Sequence, residues 1–314
     1  MIQRLIDFYN RYCADAEDTM SYIWLGVAKH HHAKLVGALT SNDPKRVKLV
    51  LDSLAPAYGV WGIERPSALS GDELAVQLGN LARRIGILAL PNPEQPVETV
   101  LNVNELKSQI ESALRFKLSL PDCFGFQTEG GKLPVKILHY GAIAFTIQQL
   151  FPKTSPANIL ELGAGLGQLG YIVWHGKTRS YTVLDLPTVA VMSSYFLSGV
   201  FGSHNTWLAG EPEPKGFARF YPSTDYAGVS AGKYDLIVSV DGFPELPIPV
   251  QDKYLNLIDE CLTPNGFFLS MNHESNDGGQ RRVFDAVRKH GKLRLIARYP
   301  FMMRAGYIEE IYQH

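Results

Sequence analysis

The chain has 314 residues, of which 46% are hydrophobic, and its 30 basic and 31 acidic side chains nearly balance. This composition excludes a disordered chain, because there is ample apolar material for a core, and it lacks the basic excess typical of a nucleic-acid-binding protein. The three cysteines are too few and too widely spaced for a disulfide framework or a paired zinc motif, which favours a cytoplasmic protein.

Membrane association is not expected from this sequence. No apolar run reaches the roughly 20 residues that a transmembrane helix needs. The first twelve residues mix charges into their apolar positions, unlike a secretory leader.

Before residue 152, the spacing of apolar residues predicts helices. Apolar side chains recur at intervals of three and four over Ile2–Cys13, and a second helix is expected from Thr19 to Leu39. Three further helix starts are indicated by capping signals, and a last helix of this part is expected over residues 134–151. These signals are Asn42-Asp43-Pro44, Ser70 with Glu73, and Asn102 with Glu105.

After residue 152, apolar runs of strand length alternate with helical stretches. Such alternation predicts an α/β fold with a parallel sheet covered by helices on both faces. The last two runs are separated by only about six residues, too few for a parallel crossover, so the final strand is expected to be antiparallel. The predicted strands are Asn158–Leu162, Ser180–Leu184, Ala218–Tyr221, Tyr234–Val240, Phe267–Met271, Leu293–Tyr299 and Gly306–Gln313.

The strongest local signal is a glycine-rich turn after the first of these strands. Glu161 lies near the strand's end, and Gly163, Gly165 and Gly167 follow at alternate positions. Glycine permits open backbone dihedrals and lets a ligand lie against the chain without a Cβ in the way. About twenty residues later, the next strand ends in Asp185, where a carboxylate can accept hydrogen bonds from two ribose hydroxyls.

Two cofactors compete for this loop. Residues 165–170 match the dinucleotide pattern G-x-G-x-x-G, which suggests an NAD(P)-dependent oxidoreductase or epimerase. That interpretation begins two residues past the strand and leaves Glu161 unexplained. S-adenosylmethionine carries a sulfonium cation and no phosphate, so a nearby carboxylate suits it better. A purely structural glycine turn, in a non-catalytic scaffold that retains the fold, is the third reading.

The back half resembles the class I S-adenosylmethionine-dependent methyltransferases, and within them the bacterial sugar O-methyltransferases. The resemblance covers roughly residues 134 to 312. It implies a Rossmann-like seven-strand sheet with an antiparallel last strand, preceded by a helical domain. The motifs that carry it are Ile159–Gly167 (ILELGAGLG), Tyr181–Pro187 (YTVLDLP), Lys233–Val240 (KYDLIVSV) with Glu245 just after, and Pro264–His273 (PNGFFLSMNH).

The resemblance also implies which residues bind the cofactor. The glycine loop would line its methionine and ribose end, Asp185 would hold the ribose hydroxyls, and the third strand's end would border the adenine. The cofactor-binding residues expected on this basis are Glu161, Gly163, Ala164, Gly165, Gly167, Asp185, Leu186, Tyr221 and Asp241.

Three side chains compete as the general base for methyl transfer to a hydroxyl. His273 follows the fifth strand and has an ordinary pKa of about 6.5, near physiological pH. Asp241 and Glu274 are the alternatives. Acceptor contacts are expected from His139, Tyr140, Glu245 and Asn272. Oxygen ligands for a divalent metal occur near this edge, but no motif demands a metal.

We therefore expect a helical domain over residues 1–133 that shapes the acceptor pocket or serves as a dimerisation surface. Residues 134–314 would form the S-adenosylmethionine-binding domain. The expected reaction is O-methylation of a small molecule, with a sugar or glycosylated metabolite as acceptor. Neither a nucleic acid nor a membrane is expected as a partner, and the helical front is compatible with a homodimer.

Overall fold

The computed structural model of this protein describes residues 1–14, 19–57, 71–91, 94, 102–120, 125–212, 216–230, 232–274 and 281–314. The chain forms two compact units. The first comprises Met1–Asp52, Pro156–Phe301 and Ala305–His314, and the second comprises Ser53–Ser155 and Met302–Arg304. The first 52 residues thus belong to the same unit as the back half, and the predicted boundary at 133/134 lies inside the second unit.

Helices and strands follow one another along the chain in the order that the periodicity predicts. The helices of the described residues are α1 (Ile2–Tyr12), α2 (Tyr22–His30), α3 (Ala33–Thr40), α4 (Pro44–Ala57), α5 (Gly71–Arg84), α6 (Val103–Leu114), α7 (Val135–Leu150), α8 (Gln168–Trp174), α9 (Pro187–Phe201), α10 (Tyr226–Ser230), α11 (Ile248–Cys261) and α12 (Val283–His290). The strands are β1 (Phe126–Thr128), β2 (Gly131–Leu133), β3 (Asn158–Leu162), β4 (Ser180–Asp185), β5 (Thr206–Leu208), β6 (Ala218–Pro222), β7 (Tyr234–Val240), β8 (Leu262–His273), β9 (Arg294–Pro300) and β10 (Tyr307–Gln313). None of the helices in the described ranges combines the length and apolarity needed to cross a bilayer.

The first unit is built on an eight-stranded sheet in the order β5-β6-β4-β3-β7-β8-β10-β9. Strands β5, β6, β4, β3, β7 and β8 pair in parallel, and β10 pairs antiparallel with both β8 and β9. This is the Rossmann-like methyltransferase sheet with an antiparallel last strand, so the predicted fold class is confirmed. The prediction of seven strands missed β5, which has only three residues and adds an edge strand beside β6.

The sheet has a topological switch point at β3. This strand pairs with β4 on one side and with β7 on the other, so the chain leaves β3 in one direction and returns on its opposite side. Ligands of open α/β sheets bind in the crevice outside the carboxyl ends of such strands. The continuous apolar run that predicted β4 reflects its central place, since all six of its residues are buried.

The predicted single helix over 19–39 is wrong, because α2 ends at His30 and α3 begins at Ala33. His32 lies at the start of α3 with its side chain buried, and this burial lowers its pKa to about 4. The spacing of apolar residues does not reveal such a break, because the residues on both sides of it still fit the period of one helix. The ring of His32 is therefore in the interior rather than on the surface.

Two of the three capping predictions are confirmed. Asp43 Oδ1 accepts the backbone N–H groups of Lys45 and Arg46 at the start of α4. The side chain of Asn102 accepts N–H groups of Asn104 and Glu105 at the start of α6. Each such bond satisfies an amide that has no partner within its own helix. The third predicted cap, at Ser70, lies outside the described residues.

In the second unit, α5, α6 and α7 form a small helical core beside the β1–β2 hairpin. Gly141 allows close packing, because a Cβ at this position would lie 3.0 Å from Leu81 Cδ2 and 3.4 Å from Leu114 Cδ1. His139 and Tyr140, expected as acceptor contacts, lie on α7, and their side chains are buried.

The packing of α8 on β4 supplies a stability prediction. A Cβ at Gly170 would lie 2.6 Å from Tyr181 Cε1 and 2.9 Å from Leu197 Cδ1. Overpacking of this kind typically costs about 1–3 kcal/mol, so Gly170→Ala is expected to lower the free energy of unfolding by that amount.

Gly199→Ala is the matched control, because a Cβ at this exposed position of α9 meets nothing within 4 Å. It should stabilise the protein by roughly 0.5–1 kcal/mol through helix propensity. Chemical denaturation measures both variants. Equal stability of Gly170→Ala and the parent would contradict the packing described here.

Candidate functional site

The backbone leaves β3 along a path that needs glycine. Gly163, Gly165 and Gly167 have φ values of +78°, +56° and +81°, the left-handed region that L side chains rarely adopt. Gly167 is the N-cap of α8. The turn is tied to the sheet by the N–H of Gly163, which donates to the Leu184 carbonyl at 3.0 Å.

The three glycines face different surroundings. A Cβ at Gly167 would lie 2.7 Å from Leu197 Cδ1, so this glycine permits packing of α8 against α9. At Gly163 and Gly165 a Cβ would meet nothing within 4 Å. Space is therefore open above the first two glycines, where a ligand can approach the backbone closely. The need for glycine at the third position is explained by packing in the protein interior.

Asp185, the last residue of β4, borders the same loop. Its Oδ2 accepts the N–H of Gly165 at 3.2 Å, and its Oδ1 accepts the N–H of Leu186 at 2.7 Å. Burial raises the pKa of this carboxyl to about 7, against the opposing effect of its backbone N–H donors. Two carboxylate oxygens offer about four acceptor positions, so capacity remains for hydroxyl donors.

Glu161 lies on β3 with no exposed surface, and its Oε2 accepts a hydrogen bond from the Tyr181 hydroxyl. The residue therefore braces the strand below the loop. This differs from its expected place on the ligand surface. Ala164 and Leu186 are both buried beside the loop. Tyr221 is the penultimate residue of β6, and its ring centroid lies 5.2 Å from that of Trp207.

Three buried polar atoms lie within the first turns that follow β3, β4 and β6, and none has a hydrogen-bond partner among the described residues. Native proteins rarely leave buried polar atoms unpaired, so each of these atoms can bind a polar ligand or water. These atoms are Gln168 Oε1, Thr188 Oγ1 and the Tyr226 hydroxyl.

A second group of side chains lies where β7, β8 and β10 meet. Asp241, directly after β7, has a φ of +57°, an uncommon conformation for a non-glycine residue. Its Oδ1 accepts a hydrogen bond from the Tyr307 hydroxyl. Tyr307 lies opposite His273 in the β8–β10 register, and their ring centroids are 5.9 Å apart in an edge-to-face arrangement. Tyr307 thus joins two of the three predicted base candidates.

The third base candidate, Glu274, forms an ion pair with Arg298. Arg298 also binds Glu310 on β10 at 2.8 Å. Glu274 is therefore part of a carboxylate–guanidinium–carboxylate arrangement at the end of β8, which favours a structural role for it.

Asn272 was expected to contact the acceptor, but the structure engages both its amide atoms within the protein. Its Oδ1 accepts the N–H groups of Gly242 and Phe243, and its Nδ2 donates to the Ser239 carbonyl and to Ser270 Oγ. The buried side chain therefore holds the turn that presents Asp241.

Glu245 lies in the short 3₁₀ turn Phe243–Glu245 after β7, and its Oε2 accepts the indole N–H of Trp24 at 2.8 Å. Within the described residues, no three His, Cys, Asp or Glu side chains converge as a metal site. The sequence alone identifies neither Tyr307 nor Trp24 as a residue of this edge. The β-rich pattern of the last strand located Tyr307 on the sheet, but nothing in the pattern paired it with Asp241.

Comparisons with known proteins yield structural matches only. No protein-family model matches the sequence, and no curated protein matches it. One matched structure is the mitomycin 7-O-methyltransferase MmcR, with 16% identity, 57% of each chain covered and a TM-score of 0.39.

Two others are the N-methyltransferase NodS from Bradyrhizobium japonicum WM9, bound to S-adenosylhomocysteine, and the magnesium protoporphyrin IX methyltransferase ChlM from Synechocystis PCC 6803, bound to S-adenosylmethionine. NodS is 14% identical, covers 54% of this chain and 85% of its own, and has a TM-score of 0.39. ChlM is 14% identical, covers 56% and 80%, and has a TM-score of 0.40. At this level of similarity, the fold assignment depends on the strand order itself.

The four hydrogen bonds of Asn272 make a second stability prediction. Asn272→Ala leaves one buried and one partly buried backbone N–H group without an acceptor, so the free energy of unfolding should fall by about 2–4 kcal/mol. Asn256→Ala, on the exposed face of α11, is the control and should change it by less than about 0.5 kcal/mol. Urea denaturation of both variants measures these changes. Similar free energies of unfolding for the two variants would contradict the structural role of Asn272.

Proposed function

We propose that this protein is an S-adenosylmethionine-dependent methyltransferase that modifies a hydroxyl group of a small molecule. The observation that carries the proposal is the crevice at the carboxyl end of β3. There, two positive-φ glycines have open space above them and a buried carboxylate beside them. As the acceptor we propose a sugar or glycosylated metabolite, and the unpaired cysteines among the described residues suit a cytoplasmic enzyme.

The residues present fit the adenosyl group of such a cofactor. Asp185 retains acceptor capacity toward the ribose hydroxyls, and the backbone at Gly163 and Gly165 permits close approach. The unpaired polar atoms of Gln168, Thr188 and Tyr226 add further groups for hydrogen bonding at the same edge. When bound, S-adenosylmethionine supplies an electrophilic methyl group on a sulfonium centre.

The protein's part in the reaction is to orient the acceptor and take its proton. Holding the hydroxyl oxygen in line with the methyl group can contribute up to about 7–11 kcal/mol. We assign the role of general base to His273. A positioned general base typically raises the reaction rate by about 10²–10⁴-fold. Tyr307 packs against its ring and donates to Asp241, so it positions both groups. Glu245 would orient the acceptor hydroxyl.

An NAD(P)-dependent oxidoreductase is the competing enzyme. Dinucleotide-binding sheets in the order 3-2-1-4-5-6 are parallel, whereas here the antiparallel β10 lies between β8 and β9. This observation favours the methyltransferase. A non-catalytic scaffold remains the alternative from another class of protein. A measurement of ligand binding distinguishes it from both enzymes.

Isothermal titration calorimetry tests the cofactor. We expect heat with S-adenosylmethionine and with S-adenosylhomocysteine, and none with NADH. Thermal unfolding in the presence of each compound gives an independent reading, because specific binding to the folded state raises the apparent stability. The proposal fails if neither adenosyl compound binds, and stabilisation by NADH alone would identify the oxidoreductase.

The pH dependence of cofactor binding follows from Asp185. In the free protein this carboxyl has a pKa of about 7, because it is buried. Ribose hydroxyls donate to the charged form and therefore lower the pKa in the complex. Below about pH 7, binding then requires release of a proton. As the pH falls, the Kd of S-adenosylhomocysteine should therefore rise by roughly tenfold per pH unit, until the pH reaches the pKa of the complex.

Calorimetry at about pH 5.5, about pH 6.5 and about pH 8 measures this slope. Asp185→Asn cannot titrate, so it should bind more weakly at about pH 8 and show a flat profile. An equally steep profile in Asp185→Asn would assign the dependence to another group and contradict the role of Asp185.

A further inference from the structure

The segment Thr19–Trp24 is attached to the carboxyl edge of the sheet at two separate strands. Thr19 Oγ1 lies 2.7 Å from Ser223 Oγ, directly after β6, in a buried hydroxyl pair. Trp24 Nε1 donates to Glu245 Oε2 at 2.8 Å, in the turn after β7. Between β6 and β7 in the sheet lie β4 and β3, the strands that carry Asp185 and the glycine loop.

The length of the segment is comparable with the spacing of the strands that it joins. Three strand spacings separate β6 from β7, a distance of about 14 Å. The three extended steps from Thr19 to Tyr22 reach at most about 11 Å. The two helical steps to Trp24 add about 3 Å. A direct path of this length would cross the ends of β4 and β3, the strands that lie between the two attachments.

The crossing is also held rigid at its centre. Ser21 is the N-cap of α2 and accepts the backbone N–H of Trp24 on its side chain at 3.4 Å. The α2 helix thus begins within the crossing, and its position is fixed by the indole bond two residues later in the helix. A cap of this kind typically contributes about 1 kcal/mol to helix stability.

We infer that Thr19–Trp24 forms the outer wall of the nucleoside site and must detach from the sheet edge for the cofactor to enter or leave. This inference rests on the proposed function, since it takes the ligand to be an adenosyl compound. The two hydrogen bonds at its ends serve as the latch. Thr19 and Trp24 would then be binding residues, although they lie outside the sequence motif of the glycine loop.

The kinetics of S-adenosylhomocysteine binding test the wall. Thr19→Val and Trp24→Phe each remove one latch hydrogen bond and preserve most of the side-chain volume. Each should raise the dissociation rate by roughly 2- to 10-fold, the effect of one hydrogen bond of ordinary strength, and should raise the association rate as well. Surface plasmon resonance on the immobilised full chain measures both rates.

Two controls make the same chemical changes elsewhere. Thr40→Val removes a hydroxyl that bonds only within α3, and Trp174→Phe alters an indole in the aromatic cluster with Phe201 and Phe217. Both should keep the parent rates. In a double-mutant cycle, Thr19→Val and Ser223→Ala should be less than additive, because they remove the same bond.

Hydrogen–deuterium exchange gives a second reading that needs no variant. On addition of S-adenosylhomocysteine, peptides covering residues 19–25 and 163–167 should both become protected, whereas a peptide from α12 should not. Binding by the parent with unchanged exchange over 19–25 and unchanged rates in both latch variants would overturn the inference alone. Absence of any binding by the parent would instead overturn the proposed function.

Discussion

The turn after β3 places backbone and not side chains at the centre of the crevice. Three positive φ angles within five residues carry the chain from the strand to α8 in a path that glycine follows without strain. Gly167 is fixed from behind by Leu197. The position of Gly167 is thus explained by packing, and the space in front of Gly163 and Gly165 is open. Asp185, the strand order and the Thr19–Trp24 crossing all converge on that space.

The burial of Asp185 carries an energetic cost. A rise in pKa from 3.8 to about 7 corresponds to roughly 4 kcal/mol of disfavoured ionisation. Because the folded-state pKa lies above the ordinary value, this carboxyl destabilises the fold progressively as the pH rises from about 4 to about 7. Hydroxyl donors that bind to the charged form offset part of the penalty. A carboxyl of this kind at a sheet edge is a common mark of a functional site.

The back half of the fold could be predicted closely because its signals are local. Buried apolar runs located every strand from β3 onward except β5, whose three residues are too few to form a pattern. The features that failed depend on contacts distant in sequence. Tyr307 meets Asp241 across 66 positions, and Trp24 meets Glu245 across 221. Asn272 illustrates the limit: its place near the end of a predicted strand suggested an acceptor contact. Its hydrogen-bonding groups are instead occupied by the backbone of Ser239, Gly242 and Phe243 and by the Ser270 hydroxyl.

The two ends of the Thr19–Trp24 segment lie in different chemical settings, and this difference links cofactor and acceptor. The Thr19–Ser223 end is a buried pair of hydroxyls directly after β6, on the side of the crevice where we expect the adenine. The Trp24 end binds Glu245, the carboxylate proposed to orient the acceptor hydroxyl. An indole N–H and an acceptor hydroxyl would then compete for, or share, one carboxylate. If they share it, acceptor binding tightens the wall over the cofactor. If they compete, acceptor binding loosens it and favours release of the spent cofactor. By thermodynamic linkage, either coupling acts equally in both directions, so the cofactor must alter the affinity for the acceptor by the same factor.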